Sequence, residues 1–300
     1  MLLILHGGPA EAQSSLVERY APFERDFVVL QWDQRGGGKT FAHAGAKDQP
    51  TSLALLTQDT IELAEYARRY LHARRIVLYG HSWGSFLGVH AIKAKPHAFD
   101  AFVGTGQVVS FARSAEVQYR YTLARARAEP NAEAVAALEK SGPPASGDFA
   151  QYIAMRKWMF RYFAPADRQW LKESDEYVRR NPEATPEVMN LYGKGYENTM
   201  AGVGAVLMAG DLPTLGYDYD VPFFVIQGRE DPIAPTELVE DYFPHVRAPA
   251  KRLTLIDGAG HFVALTHTTQ FIAALEEDLA LSAALKRAPR AARRHAATHG

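Results

Sequence analysis

A serine flanked by two glycines, at the end of a buried apolar run, limits the possible folds of this chain more than any other feature. The apolar residues 77–79 lead into G-H-S-W-G at residues 80–84, and helix-type sequence follows. A strand that turns at once into a helix holds the central residue in a strained conformation and admits only small residues two positions before and after it. Gly80 and Gly84 meet this requirement, so the pattern G-x-S-x-G predicts a nucleophile at Ser82. An ordinary glycine-containing turn is the alternative, and the motifs before and after this stretch help to decide between the two.

Short apolar runs alternate with helix-type segments along the chain. Runs that are apolar throughout are typical of strands covered on both faces, as in a parallel sheet. Helical periodicity separates them, for example over residues 52–71, where apolar residues recur every three or four positions. This alternation predicts an α/β fold with a mostly parallel sheet flanked by helices and with its functional loops at the carboxyl ends of the strands. The expected strands are residues 2–5, 27–32, 75–80, 101–104, 221–227 and 252–256.

Residues 107–215 contain mostly helix-type sequence and no strand-like run. This segment is too long for a loop, so we expect a helical cap over the functional edge of the sheet, with an independent helical domain as the alternative. The core then comprises residues 1–106 and 216–285, and residues 286–300, rich in Ala and Arg, are expected to be a disordered tail. The expected cap helices are residues 113–129, 132–140, 149–163 and 186–208, with breaks at 142–144, Pro165 and 181–182.

Composition excludes several classes of function. The 33 Lys and Arg residues against 34 Asp and Glu give a net charge of −1, so we expect neither a nucleic-acid nor a membrane partner. The chain has no cysteine, which excludes disulfides, thiolate metal sites and a cysteine nucleophile. No histidine spacing of the H-E-x-x-H type occurs, and we expect no metal and no cofactor. The four apolar residues after Met1 are too few for a signal peptide or a membrane span, so we expect a cytoplasmic protein.

Two loops in the second half of the chain can supply a base and an orienting acid for Ser82. A serine hydroxyl is a weak nucleophile until a base accepts its proton, and a third group must orient that base. Asp231 lies just after the expected strand 221–227, and His261 lies just after the expected strand 252–256. The order Ser82, Asp231, His261 is the order of the catalytic triad in α/β-hydrolases.

Other acids and another histidine compete for these roles. Asp257 lies closer to the end of its strand, and Glu230 adjoins Asp231, but an aspartate in the loop after the sixth strand suits the expected geometry better. His81 is adjacent to the nucleophile, and adjacent side chains at such a turn point apart, so we expect a structural role for it.

The negatively charged intermediate of acyl transfer needs preorganised hydrogen-bond donors. The backbone amide of Trp83, directly after the nucleophile, is one expected donor. The second is expected from the loop after the first strand, H-G-G-P at residues 6–9, where Gly8 fits. A glycine-rich turn without a function is the alternative for this loop.

At this point the chain resembles the proline iminopeptidase-like serine hydrolases, of peptidase family S33 type, within the α/β-hydrolase superfamily. The resemblance covers about residues 1–102 and 220–281 and implies removal of an N-terminal residue, preferably proline, from small peptides through an acyl-enzyme. It also implies that glutamates of the cap bind the free amine of the substrate, for which Glu116 and Glu197 are the candidates. The motifs that carry the resemblance are H-G-G-P at 6–9, D-Q-R-G at 33–36, G-H-S-W-G-S at 80–85, G-R-E-D at 228–231 and G-H-F at 260–262.

The chain departs from the family pattern in three respects. Ala10 stands where relatives usually have glycine, the cap diverges, and two strands that normally come first are missing, which would leave strand 27–32 at an edge of the sheet. A carboxylesterase or amidase that acts on small acyl substrates is therefore an alternative function. A non-catalytic or truncated, inactive protein with the hydrolase fold is a second alternative. The sequence does not determine the oligomeric state.

Overall fold

The computed structural model describes residues 1–45, 50–129, 131–145, 148–181 and 184–287. Residues 288–300, most of the expected tail, lie outside the described residues, whereas residues 286 and 287 belong to the last helix. The strands are β1 (Leu2–Leu5), β2 (Val29–Leu30), β3 (Val77–His81), β4 (Ala101–Thr105), β5 (Phe223–Gly228) and β6 (Lys251–Ile256). The α-helices are α1 (Gly38–His43), α2 (Leu53–Tyr70), α3 (Trp83–Ala94), α4 (Phe111–Ala128), α5 (Ala132–Ser141), α6 (Phe149–Met159), α7 (Pro165–Arg180), α8 (Pro186–Ala209), α9 (Thr236–Tyr242), α10 (Val263–Thr266) and α11 (Thr268–Arg287). Short 3₁₀ helices are Gln13–Arg25, Pro96–Ala98, Phe160–Tyr162, Leu212–Leu215 and Phe243–His245.

In the described part of the chain, six strands form one sheet in the order β2-β1-β3-β4-β5-β6. Every pairing between neighbouring strands is parallel, which confirms the predicted α/β fold. Strand β2 lies at one edge and pairs only through Val29 and Leu30, so it is shorter than the predicted strand 27–32. The expectation that two strands of the usual fold are missing stays a prediction.

The sheet is covered on both faces, as its continuous apolar runs predict. All four residues of β1 are fully buried. Because successive side chains of a strand point to opposite faces, Leu3 and Leu5 pack in one core with α2 and α3, whereas Leu2 and Ile4 pack in a second core with α11. Because these strands run parallel, the loops that follow β1, β3, β5 and β6 lie at the same edge of the sheet.

Most predicted helices are confirmed, and one important helix was not predicted. Helix α2 agrees with residues 52–71, and the hydroxyl of Ser52 caps it by accepting the backbone N–H of Leu55 at 3.2 Å. The prediction treated Pro165 as a helix break, but Pro165 is the first residue of α7. Proline is well tolerated there because the first helical N–H has no intrahelical acceptor. Helices α1, α9 and α10 were also not predicted.

Helices α4 to α8 follow one another between β4 and β5, in the segment expected to form the cap. We call residues 107–215 the cap segment. It has an apolar cluster of its own around Leu138, Met155 and Tyr162. Helix α8 contacts α1, and α7 contacts α10, so the cap segment packs on the core near the functional edge. Within the described ranges, every helix is too short or too polar to cross a membrane.

Candidate active site

Ser82 lies at the sharp turn between β3 and α3. Its φ of 54° and ψ of −122° are unusual for a residue other than glycine, and such strain is common at functional sites. A Cβ atom on Gly80 would lie 2.5 Å from the carbonyl oxygen of Gly84, and one on Gly84 would lie 2.1 Å from that of Leu5. Both positions therefore require glycine, as the sequence motif indicates.

The structure brings His261 and Asp231 into direct contact. Nδ1 of His261 lies 2.8 Å from Oδ2 of Asp231, and both side chains are buried. The other carboxylate oxygen accepts the backbone N–H groups of Ile233 at 2.8 Å and Ala234 at 3.0 Å. Nε2 of Gln227 donates to Oδ2 at 3.2 Å. These donors hold the carboxylate so that it accepts Nδ1–H and leaves Nε2 of the imidazole available as a base.

The alternative acids do not reach His261. Asp257 is exposed and forms an ion pair with Arg229, and Glu230 is also exposed. His81 is buried, and its Nε2 donates to the carbonyl oxygen of His261 at 3.2 Å. Burial, with a smaller contribution from the charge of His261, lowers the pKa of His81 to about 3. His81 is therefore neutral at physiological pH, in agreement with a structural role.

Ser82 and His261 face a common cavity of about 360 Å³ between the core and the cap segment. The lining is mostly apolar and includes Phe111, Met200 and Ile233. Its volume lies at the lower end of the range for small-molecule sites. Within the described ranges, no three His, Asp or Glu side chains are grouped as metal ligands would be.

Of the two expected oxyanion donors, Trp83 directly follows Ser82, and Gly8 lines the cavity that Ser82 faces. Gly8 lines the cavity with a φ of 110°, a conformation that favours glycine. Trp83 is the first residue of α3, where backbone N–H groups have no intrahelical acceptor.

A hydrogen-bond network gives a role to the motif D-Q-R-G. The side chain of Gln34 accepts the indole N–H of Trp83 at 3.0 Å and donates to the carbonyl oxygen of His6 at 3.3 Å. The backbone N–H of Gln34 donates to Nε2 of His6 at 3.1 Å, so Nδ1 of that ring carries the proton and donates to the carbonyl oxygen of Gly7. Burial lowers the pKa of His6, in agreement with a neutral ring. The network links the loop of Gly8 to the turn of Ser82.

Glu11 is a functional candidate that sequence reasoning missed. It lines the cavity, and its Oε2 lies 3.2 Å from the point where a Cβ of Gly7 would stand, while Cβ of Ser82 lies 3.3 Å from the same point. The carboxylate and Ser82 are therefore close neighbours. The Glu11 side chain is exposed, yet the protein atoms crowded around it raise its pKa, against the opposing effects of His261 and of a backbone hydrogen bond from Gly7. Its position just after H-G-G-P was the available signal.

The two cap glutamates suggested by the family resemblance lie elsewhere. Glu116 is exposed on α4, and Glu197 is exposed on α8. Neither is among the described residues that line the cavity. The structure therefore does not bring either carboxylate to Ser82, because both lie on helix faces that point to solvent.

Asp167, in the first turn of α7, contacts the loop of His261 directly. Its Oδ2 accepts the backbone N–H of His261 at 2.6 Å, and its Oδ1 accepts that of Phe262 at 3.4 Å. The side chain is fully buried, and the ring of Trp170, also on α7, stacks on that of Phe262 with centroids 4.1 Å apart. Burial, opposed by the charge of His261 and reinforced by repulsion from Asp231, raises the pKa of Asp167 to about 6. Sequence reasoning missed Asp167 because it missed α7, although Pro165 and an acidic first turn are signals of a helix start.

Comparison with known proteins supports the fold and the class of chemistry. The family model described as "Serine aminopeptidase, S33" matches residues 1–265. A probable aminopeptidase of Bacillus subtilis, YbaC, is 26% identical over 278 residues, which cover 87% of this chain and 83% of that protein. A proline iminopeptidase of Heyndrickxia coagulans is 23% identical over 280 residues, 93% of this chain and 90% of that one. The solved structure of proline iminopeptidase from Mycobacterium smegmatis aligns with a TM-score of 0.64 at 21% identity, covering 93% of this chain and 90% of that one. At that identity the likeness shows the fold alone.

Proposed function

The chain belongs to the S33 serine aminopeptidase family of hydrolases, and from that premise we propose that it releases an N-terminal residue, proline or a similar one, from short peptides. The observation that carries the proposal is the carboxylate of Glu11 beside Ser82 in a mostly apolar cavity. A single carboxylate at such a place selects a substrate with a positive charge next to the bond that is cleaved. The preference for proline rests on the names of the relatives.

Acylation uses the groups that converge on the cavity. Oγ of Ser82 attacks the carbonyl carbon of the first substrate residue while Nε2 of His261 accepts the hydroxyl proton. Asp231 stabilises the resulting imidazolium through Nδ1–H. The amides of Gly8 and Trp83 donate to the negative oxygen of the tetrahedral intermediate.

Collapse of this intermediate breaks the bond between carbon and nitrogen, and the imidazolium of His261 gives its proton to the departing amine. A water molecule then attacks the acyl-enzyme, with His261 again as the base. As the second tetrahedral intermediate collapses, the bond to Oγ of Ser82 breaks, the imidazolium of His261 returns the proton to Oγ, and the free N-terminal amino acid leaves.

Glu11 accounts for a requirement for a free amine. A carboxylate near the oxyanion opposes the negative charge that develops there. The ammonium group of an N-terminal residue lies two bonds from the carbon under attack, so it can pair with Glu11 and remove the repulsion. An N-acylated substrate lacks this charge and leaves the repulsion in place.

The test compares three substrates with the wild-type protein: a proline arylamide, its N-acetyl derivative and a short acyl ester without an amine. We expect fast turnover of the first and little of the second, and Ser82→Ala should abolish turnover of all three. Equal turnover of the ester and of both arylamides would refute the aminopeptidase proposal and favour the carboxylesterase alternative, which the mostly apolar lining supports. Failure of a fluorophosphonate to label Ser82 would favour a non-catalytic protein. Location in the cytoplasm stays a prediction.

A further inference from the structure

Helix α6 directs a cationic side chain into the cavity. Tyr152, Arg156 and Phe160 are spaced four residues apart, and all three line the cavity. The guanidinium carbon of Arg156 lies 5.5 Å from the centroid of the Tyr152 ring and 5.1 Å from that of the Phe160 ring. Cation–π contacts of this kind orient a guanidinium and restrict its motion.

Arg156 has no anionic partner among the described residues. Its Nε is buried without a hydrogen-bond partner there, and no described carboxylate forms an ion pair with it. Other arginines of the cap segment do have such partners, for example Arg120 with Glu237 and Arg127 with Glu139. A buried N–H group without an acceptor is unfavourable. The site therefore fits an anion supplied by a ligand.

Besides its histidines, the described lining has one acidic and one basic side chain, and they come from different parts of the fold. Among the described residues that line the cavity, Glu11 is the one carboxylate and Arg156 the one guanidinium or ammonium group. Glu11 lies on the core loop beside Ser82, whereas Arg156 lies on the cap segment. The cavity is thus complementary to a molecule that is positive at its reacting end and negative at its other end.

We propose that Arg156 binds the C-terminal carboxylate of the substrate, so that the preferred substrates are peptides of two or three residues with both termini free. This inference rests on the proposed aminopeptidase function. A guanidinium presents two parallel N–H donors that match the two oxygens of a carboxylate. The cavity, at about 360 Å³, suits a substrate of this size.

The experiment uses a pair of substrates that differ only in the group that Arg156 would bind, prolyl-alanine and prolyl-alanine amide. For the wild-type protein we expect kcat/KM to be roughly 10- to 100-fold higher for the free acid, mostly through KM, as for a charged hydrogen bond. Arg156→Met should reduce this ratio to about one, and Arg156→Lys should retain part of it because the positive charge remains. The matched control is Lys157→Met, since Lys157 is a neighbouring exposed cation that lies over Trp158 and does not line the cavity.

Three results would overturn the inference. Equal kcat/KM for acid and amide in the wild-type protein would refute it while leaving the aminopeptidase function intact. Equal loss of the ratio in Arg156→Met and Lys157→Met would show that the effect is not specific to Arg156. If the protein cleaves neither peptide although a fluorophosphonate labels Ser82, the aminopeptidase function itself fails, and the role of Arg156 fails with it.

Discussion

Replacing Asp167 with asparagine should raise the stability of the protein and lower its catalytic rate. The folded protein raises the pKa of Asp167 from 3.8 to about 6, chiefly because the side chain is buried. The folded state therefore holds the proton to a higher pH than the unfolded chain does. Stability is greatest below the unfolded pKa and decreases as pH rises through the range from 3.8 to about 6.

The size of this effect follows from the shift. A shift of about two pKa units corresponds to about 3 kcal/mol of lost stability at neutral pH. Asparagine has nearly the same shape, keeps one oxygen that can accept the backbone N–H of His261, and does not ionise. Asp167→Asn should therefore raise the free energy of unfolding at pH 8 by up to about 3 kcal/mol, with a smaller gain at pH 5.

Catalysis should respond in the opposite direction. The ionised carboxylate accepts two backbone N–H groups of the loop that carries His261 and lies near the imidazolium that forms during proton transfer. Asparagine cannot accept both N–H groups and carries no charge. Because small displacements of a base have large effects on rate, we expect kcat to decrease roughly tenfold in Asp167→Asn.

Thermal unfolding at pH 5 and pH 8 measures the first effect, and the rate at which a fluorophosphonate modifies Ser82 measures the second without depending on the choice of substrate. The matched control is Tyr177→Ala, which removes a contact of the same helix with Arg19 of the core and leaves the loop of His261 untouched. Among the described residues, the ionisable groups that act on Asp167 are His261 and Asp231. If Asp167→Asn were less stable than the wild-type protein at pH 8, ionisation of Asp167 would not be destabilising, contrary to the expected pH dependence. An unchanged rate of modification would show that Asp167 does not position the loop of His261.

Two further predictions concern the amine site and the turn at Ser82. Glu11→Gln should raise KM for a proline arylamide roughly 10- to 100-fold, since a charged hydrogen bond is lost, and should leave the fluorophosphonate reaction of Ser82 in place. Steady-state kinetics with the arylamide and the rate of fluorophosphonate labelling check this. An unchanged KM would contradict the prediction. Gly84→Ala should destabilise the protein by about 3 kcal/mol or more, because its Cβ would lie 2.1 Å from the carbonyl oxygen of Leu5. Thermal unfolding measures this loss of stability. An unchanged melting temperature would contradict the close contact between Gly84 and Leu5.

The sequence predicts those parts of the fold that depend on short stretches of chain. Helix α2 was predicted to within a residue at each end because its apolar period and the cap at Ser52 are local signals. The turn at Ser82 was predicted because the two flanking glycines reflect contacts that any such turn makes. Helix α7 was missed because Pro165 is compatible both with a helix break and with a helix start, and only packing against the loop of His261 distinguishes the two.

By itself, the sequence predicted the class of chemistry, since Ser82, Asp231 and His261 each follow a strand that a short apolar run predicts. Only the tertiary structure decided which charged groups surround them. Glu11 and Asp167 are far apart in the chain, and the local signals beside them, H-G-G-P and Pro165, do not show what either carboxylate contacts. The physical reason is that spacing along a strand or helix predicts which face a side chain occupies. Packing between elements distant in sequence decides what that face contacts.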